Sequence, residues 1–66
     1  MTIVCNGEPR DIAVGTSVAE LLLQLALNPR QVAVEVNLDV VPRAQHAAHV
    51  LRAGDRVELV TLVGGG

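Results

Sequence analysis

Three consecutive glycines close the 66-residue sequence, Gly64-Gly65-Gly66, and they are its most distinctive chemical feature. Such a run cannot continue a strand, carries no side chain and loses the most entropy on ordering, so a flexible tether ending in the Gly66 carboxylate is expected. A frayed end would read the same way. The alternative is that a partner threads Gly64 and Gly65 through a tunnel too narrow for a Cβ, with the carboxylate of Gly66 as the reacting group. The other chemical candidates are few. Cys5 shares the parity of Ile3 and is expected in the core, where a thiol stays protonated and behaves as a small hydrophobe. His46 and His49, three apart, could seat a metal from one side of a turn. No third Cys, Asp or Glu ligand accompanies them, so solvent-facing histidines and no metal site are expected. No glycine-rich phosphate loop joins a strand to a helix, and no nucleophile can be matched with a base.

Size explains why the chain end stands out. Ordering costs of ~1.5 kcal/mol per residue against ~25 cal/mol per Å² require on the order of 4,000 Å² of apolar burial, nearly all that such a chain offers. No interior is left for a deep substrate pocket, which favours a carrier, adaptor or binding module over an enzyme. With no Phe, Tyr or Trp, and five Arg against seven Asp plus Glu for a net charge of −2, the stacking platforms and basic face of a nucleic-acid binder are missing. A single cysteine cannot form an internal disulfide, which fits a reducing cytoplasm. The mostly apolar run over residues 18–27 is too short to span a membrane, and the N-terminus lacks the features of a signal peptide.

The elements that must position the tail follow from periodicity. Residues 1–5 form a β-branched run stopped by Asn6-Gly7, a hairpin signal, and alternation over residues 10–14 predicts the returning strand. Ser17-Val18-Ala19-Glu20 has capping-box spacing. Val18, Leu21, Leu22 and Leu25 then make the buried stripe of a helix that Asn28-Pro29 ends. Leu23, off that stripe, is either a rim contact with a loop or an exposed contact for a partner. Residues 31–37 read as a strand with three valines on one face. Val40-Val41 read as a short return, residues 44–50 as an irregular or helical turn, and residues 56–63 as the last strand. The expected architecture is α+β: one main helix across a mixed four- to five-stranded sheet, the β-grasp or ubiquitin-like order of elements, with a domain over residues 1–63 and a tail over 64–66. Alternation assigns Ile3, Cys5, Ile12, Val14, Val34, Val36, Val57 and Leu59 to the core with Val18, Leu22 and Leu25. Val60 and Leu62 then face away. They are either partly covered by the chain's own loops or form, with Val63, a docking patch beside the tail.

The opening Met1-Thr2-Ile3-Val4-Cys5-Asn6-Gly7, the helix Val18-Ala19-Glu20-Leu21-Leu22, Val34-Glu35-Val36-Asn37 followed by Val41-Pro42-Arg43, and Gly54-Asp55-Arg56-Val57-Glu58-Leu59-Val60 leading to Gly64-Gly65-Gly66 together resemble the ThiS family of sulfur carriers in thiamin biosynthesis. The resemblance covers the whole chain. It implies no bound cofactor and no catalysis by the chain itself. An ATP-dependent, E1-like activating enzyme (ThiF-type) would adenylate Gly66. Sulfur relayed from a cysteine desulfurase would replace AMP to leave a thiocarboxylate, and thiazole synthase (ThiG-type) would accept that sulfur. Three other readings stay open: a carrier similar to the molybdopterin-synthase small subunit, a ubiquitin-like modifier joined through Gly66, and a β-grasp interaction module with an idle tail. Lysine is absent, which forbids chains built on the protein's own side chains.

Overall fold

The computed structural model describes residues 1–62. Strands β1 (Thr2–Cys5) and β2 (Glu8–Asp11) form a hairpin, followed by helix α1 (Val18–Gln24), β3 (Val32–Val36), β4 (Asp39–Val40) and β5 (Arg56–Thr61). Single 3-10 turns, Pro29–Gln31 and Arg43–Gln45, fill the connections before β3 and after β4. The sheet order is β2-β1-β5-β3-β4. β5 therefore lies at the centre, parallel to β1 and antiparallel to β3.

Both hairpin turns are set by asparagine. Asn6 (φ 49°) and Gly7 (φ 80°) supply the two positive φ angles that let a two-residue turn follow the twist of its strands. Asn37 (φ 52°) does the same with Leu38 (φ 73°), a leucine where glycine would be unstrained.

α1 starts as its sequence dictates. The Ser17 hydroxyl accepts from the Glu20 N–H at 3.1 Å, and the Glu20 carboxylate accepts from the Ser17 N–H at 3.3 Å. Val18 N–H donates to the His49 carbonyl and Ala19 N–H to that of His46, so every free donor of the first turn is satisfied. The helix ends earlier than Asn28-Pro29. Ala26 turns left-handed (φ 56°), Ala26 N–H donates to Leu23 and Leu27 N–H to Leu22, the bond pattern of a Schellman cap. Alanine at that position hides the stop from the sequence, because glycine is its usual marker.

Ile3, Ile12, Val18, Leu21, Leu22, Val32, Val34, Val36, Val41, Leu51 and Val57 form the buried core between helix and sheet. Cys5, Leu25 and Leu59, expected inside, are only partly buried and pack on its margin. Val14 is a correction: it is 85% exposed. Its parity is right but its strand is not, because β2 spans Glu8–Asp11 and Asp11 already pairs with Thr2. Ile12 is the last residue with a partner there: its N–H donates to the Met1 carbonyl and its carbonyl accepts from the Met1 amino group, both at 2.8 Å. The chain turns instead, with the Thr16 hydroxyl donating to the Ala13 carbonyl at 2.7 Å.

His46 is a second correction: it is 4% exposed rather than solvent-facing. The segment 43–51 folds back under the N-terminus of α1, bridges Ser17 through Val50 and sends Leu51 into the core, carrying His46 inward with it.

Candidate functional site

β5 is the strand that leads toward the glycines. Along it the helix side holds Val57, fully buried, and Leu59, half-buried, while Arg56, Glu58 and Val60 take the opposite face. Val60 is 55% exposed beside exposed Ala33 of β3, and Leu62 is 56% exposed. Both expected docking residues thus stand open, and no loop among the described residues buries either. The last of the described backbone bonds along this strand is Leu62 N–H to the Gln31 carbonyl at 2.7 Å. Val63, Gly64, Gly65 and Gly66, assigned to docking, threading and reaction, lie outside the described residues.

Two side chains fix β5 in ways that the sequence reading missed. Asn6 accepts from the Leu59 N–H at 2.7 Å and donates to the Leu59 carbonyl at 3.1 Å, so its amide prolongs the β1 side of the ladder by one residue. Asn37 accepts from the Arg56 N–H at 2.9 Å and donates to Asp55 at 3.0 Å. Both asparagines carry a turn signal in the sequence. Their second role depends on the turns flanking β5 on its two sides, one beside Leu59 and one beside Arg56, which only the topology reveals.

The face around Val60 has its own electrostatics. Glu35 of β3 stands directly opposite Glu58 of β5, and Val40 of β4 lies opposite Glu35 on the other side. Like charges across a strand pair repel, so a cation arriving on a partner would be favoured there.

On the helix side, a groove of about 410 Å³ is lined by Cys5, Arg10, Leu25, Leu27, Leu59 and Thr61 among others. Burial pushes the Cys5 thiol above its ordinary value; Arg10 opposes that shift and Glu58 adds to it. A protonated thiol at neutral pH is a poor nucleophile. His46 Nε2 lies 3.0 Å from the Val41 carbonyl, an acceptor, so this nitrogen carries the proton and donates. Nδ1 has no partner. His49 is half-buried at a different groove, with Asp39, Arg52 and Asp55. Among the described residues no three His, Cys, Asp or Glu side chains converge as metal ligands, and no helix is long and apolar enough to cross a membrane.

A hairpin whose first strand pairs in parallel with a central last strand, with one helix crossing the sheet, defines the β-grasp class to which ubiquitin-like proteins belong. A crystal structure of a thiamine biosynthesis protein (ThiS) from Geobacter metallireducens superposes with a TM-score of 0.86 at 35% identity, covering all of both chains. The sequence model of the ThiS family matches residues 3–66, and the chain belongs to that family. The sulfur carrier protein ThiS of Escherichia coli is 36% identical over the full length of both proteins. A thiazole synthase from Paramagnetospirillum magneticum is 41% identical over all 66 residues of this chain. The chain spans about a fifth of the length of the thiazole synthases that it matches.

Proposed function

We propose that this protein is a sulfur carrier for thiazole formation in thiamin biosynthesis, a protein-bound co-substrate rather than a catalyst. The carboxylate of Gly66 attacks the α-phosphorus of ATP on an E1-like activating enzyme, releasing pyrophosphate and leaving an acyl-adenylate. A persulfide, drawn from a cysteine desulfurase or a related source, attacks the carbonyl carbon and expels AMP. A thiol then cleaves the S–S bond, and a C-terminal thiocarboxylate remains to deliver sulfur to a thiazole synthase. ATP is bound and used by the partner; the carrier holds no cofactor of its own.

The observation that carries this reading is the match, end to end, with a sulfur carrier and equally with part of two thiazole synthases. Carrier and acceptor that occur within one polypeptide elsewhere are reasonable partners when separate. The fold is consistent with it. Exposed Val60 and Leu62 lie at the start of the tail, and residues 63–66 can reach at most about 14 Å beyond Leu62 when extended. A partner that grips this face therefore brings the carboxylate within its own active site, where approach distances of ~3.5 Å govern rate. Val63 would extend the docking patch, and Gly64 and Gly65 would occupy the narrow approach.

Incubation with the activating enzyme, ATP and a sulfur source should add the mass of one oxygen-to-sulfur exchange, mapped to Gly66, with release of AMP and pyrophosphate. Cys5→Ser should react equally well. Deleting Gly66 or introducing Gly65→Val should abolish the product while the circular dichroism spectrum stays unchanged. Sulfur mapped to Cys5, or sulfur acquired by the truncated chain, would refute the reading.

A further inference from the structure

The turn between β3 and β4 concentrates two costs on one residue. Leu38 holds φ 73°, a left-handed conformation that crowds its Cβ, and its side chain is 87% exposed. Glycine would remove both costs. Leu38 belongs neither to the core nor to the side chains packed on its margin. Strain held at a residue that does not serve the core points to a use outside the chain.

The two residues that flank Leu38, Asn37 and Asp39, line a groove of about 530 Å³ whose apolar part is Val36, Ala48 and Val50. Val50 and, one step beyond Asp39, Val40 are exposed as well. The polar part carries both signs of charge. Asp55 is satisfied within the chain, accepting from the Asn37 amide at 3.0 Å and from the Arg52 N–H at 2.8 Å. The Asp39 carboxylate and the Arg52 guanidinium line the same groove with no hydrogen bond or ion pair to any described residue. An apolar knob, an apolar receptor and one open charge of each sign thus share a single patch. A foreign partner would need only one member of each pair. A second copy related by a two-fold axis uses all of them, since each contact is then made twice and the assembly closes.

We propose that this patch is a two-fold interface between copies of the chain, with Leu38 of each seated against Ala48 and Val50 of the other, and Asp39 of each paired with Arg52 of the other. Asn37 bonds β5 at Arg56, and the length of that strand to Thr61 sets the patch ~17 Å from the end that leads to the tail. Both tails stay accessible in the dimer, so the proposal goes beyond the carrier reading and does not depend on it.

Sedimentation equilibrium of the full chain from ~10 µM to ~1 mM tests this. A patch this small stands at the weak end of interfaces, so a dissociation constant on the order of 0.1 mM is expected: mostly monomer at the lower concentration, mostly dimer at the upper, and nothing larger. Leu38→Gly should stay monomeric throughout, with a Tm at the dilute end no lower than the parent's because the strain is relieved. Asp39 and Arg52 are exposed, so Asp39→Arg and Arg52→Glu should keep the fold. Each should stay monomeric alone, whereas an equimolar mixture of the two should dimerise, because every pair across the axis then joins opposite signs. A parent that remains monomeric at ~1 mM, a dimer that survives Leu38→Gly, or a mixture no more associated than its components would overturn the proposal. Masses that climb past the dimer would reveal head-to-tail contact and overturn the two-fold arrangement.

Discussion

Cys5 is the residue at which burial and charge meet most directly. Expected in the core, it sits instead at the margin, half-buried, where β1 faces the groove beneath Leu25 and Leu27. Desolvation raises its thiol above the ordinary 9.0, with Arg10 pulling down and Glu58 pushing up. The folded chain therefore holds this proton more tightly than the unfolded chain. Below the unfolded value the resulting stability is fully present; as pH rises through the higher folded value it is lost, because the unfolded state releases its proton first. Urea midpoints of the parent protein and Cys5→Ser, compared at about pH 8 and about pH 10.5, should show the parent's advantage narrowing at the higher pH. Parallel pH profiles would remove Cys5 from the alkaline transition. The parity of Cys5 with Ile3 was legible in the sequence. Its depth was not, since that depends on where α1 stops above it.

The end of α1 shows most clearly what an element's sequence reveals and conceals. Its start is written in Ser17 and Glu20, and the structure reproduces the capping box atom for atom. Its stop depends on Ala26 adopting φ 56°, a conformation that costs a residue with a Cβ roughly 1–2 kcal/mol. Ala26→Gly should therefore stabilise the fold by about 1 kcal/mol, after allowing for the greater freedom of glycine in the unfolded chain, and thermal unfolding would register this as a rise in Tm. A lowered Tm would mean that the Ala26 methyl makes contacts worth more than its strain. The same reasoning separates the elements read correctly from the rest. β3 was legible because Val32, Val34 and Val36 all turn inward under period-two alternation. Val14 misled because alternation gives the side of a strand and not its length, and β2 stops where β1 has no more backbone to offer. Leu51 and His46 belong to a segment without periodicity, whose burial is decided by the carbonyls that α1 needs at its N-terminus.

At the scale of the whole molecule, the sheet separates a helix side, with the groove of Cys5 and Leu25, from an open side that carries Val60. Val60→Asp places a carboxylate beside Glu58 and Glu35 on that open side, where it touches nothing in the core. It should lower the unfolding midpoint modestly, through repulsion from those carboxylates, leave the circular dichroism spectrum unchanged, and weaken the complex with the activating enzyme by ~10-fold or more, since the charge would be desolvated at an interface. Unaltered affinity by titration calorimetry would move the docking surface elsewhere. The central place of β5 has a further consequence for how the chain comes together. β1 and β3 do not pair with each other; each is held through a strand that follows them by some twenty to fifty residues, and Asn6 closes on Leu59 across 53 positions. Until β5 is made, the nascent protein has two separate hairpins, each too small to persist in water. Folding should then be slow for a domain of this size and all-or-none, with a transition state that waits for long-range loop closure, and a chain halted on the ribosome before Arg56 should remain a substrate for chaperones and proteases.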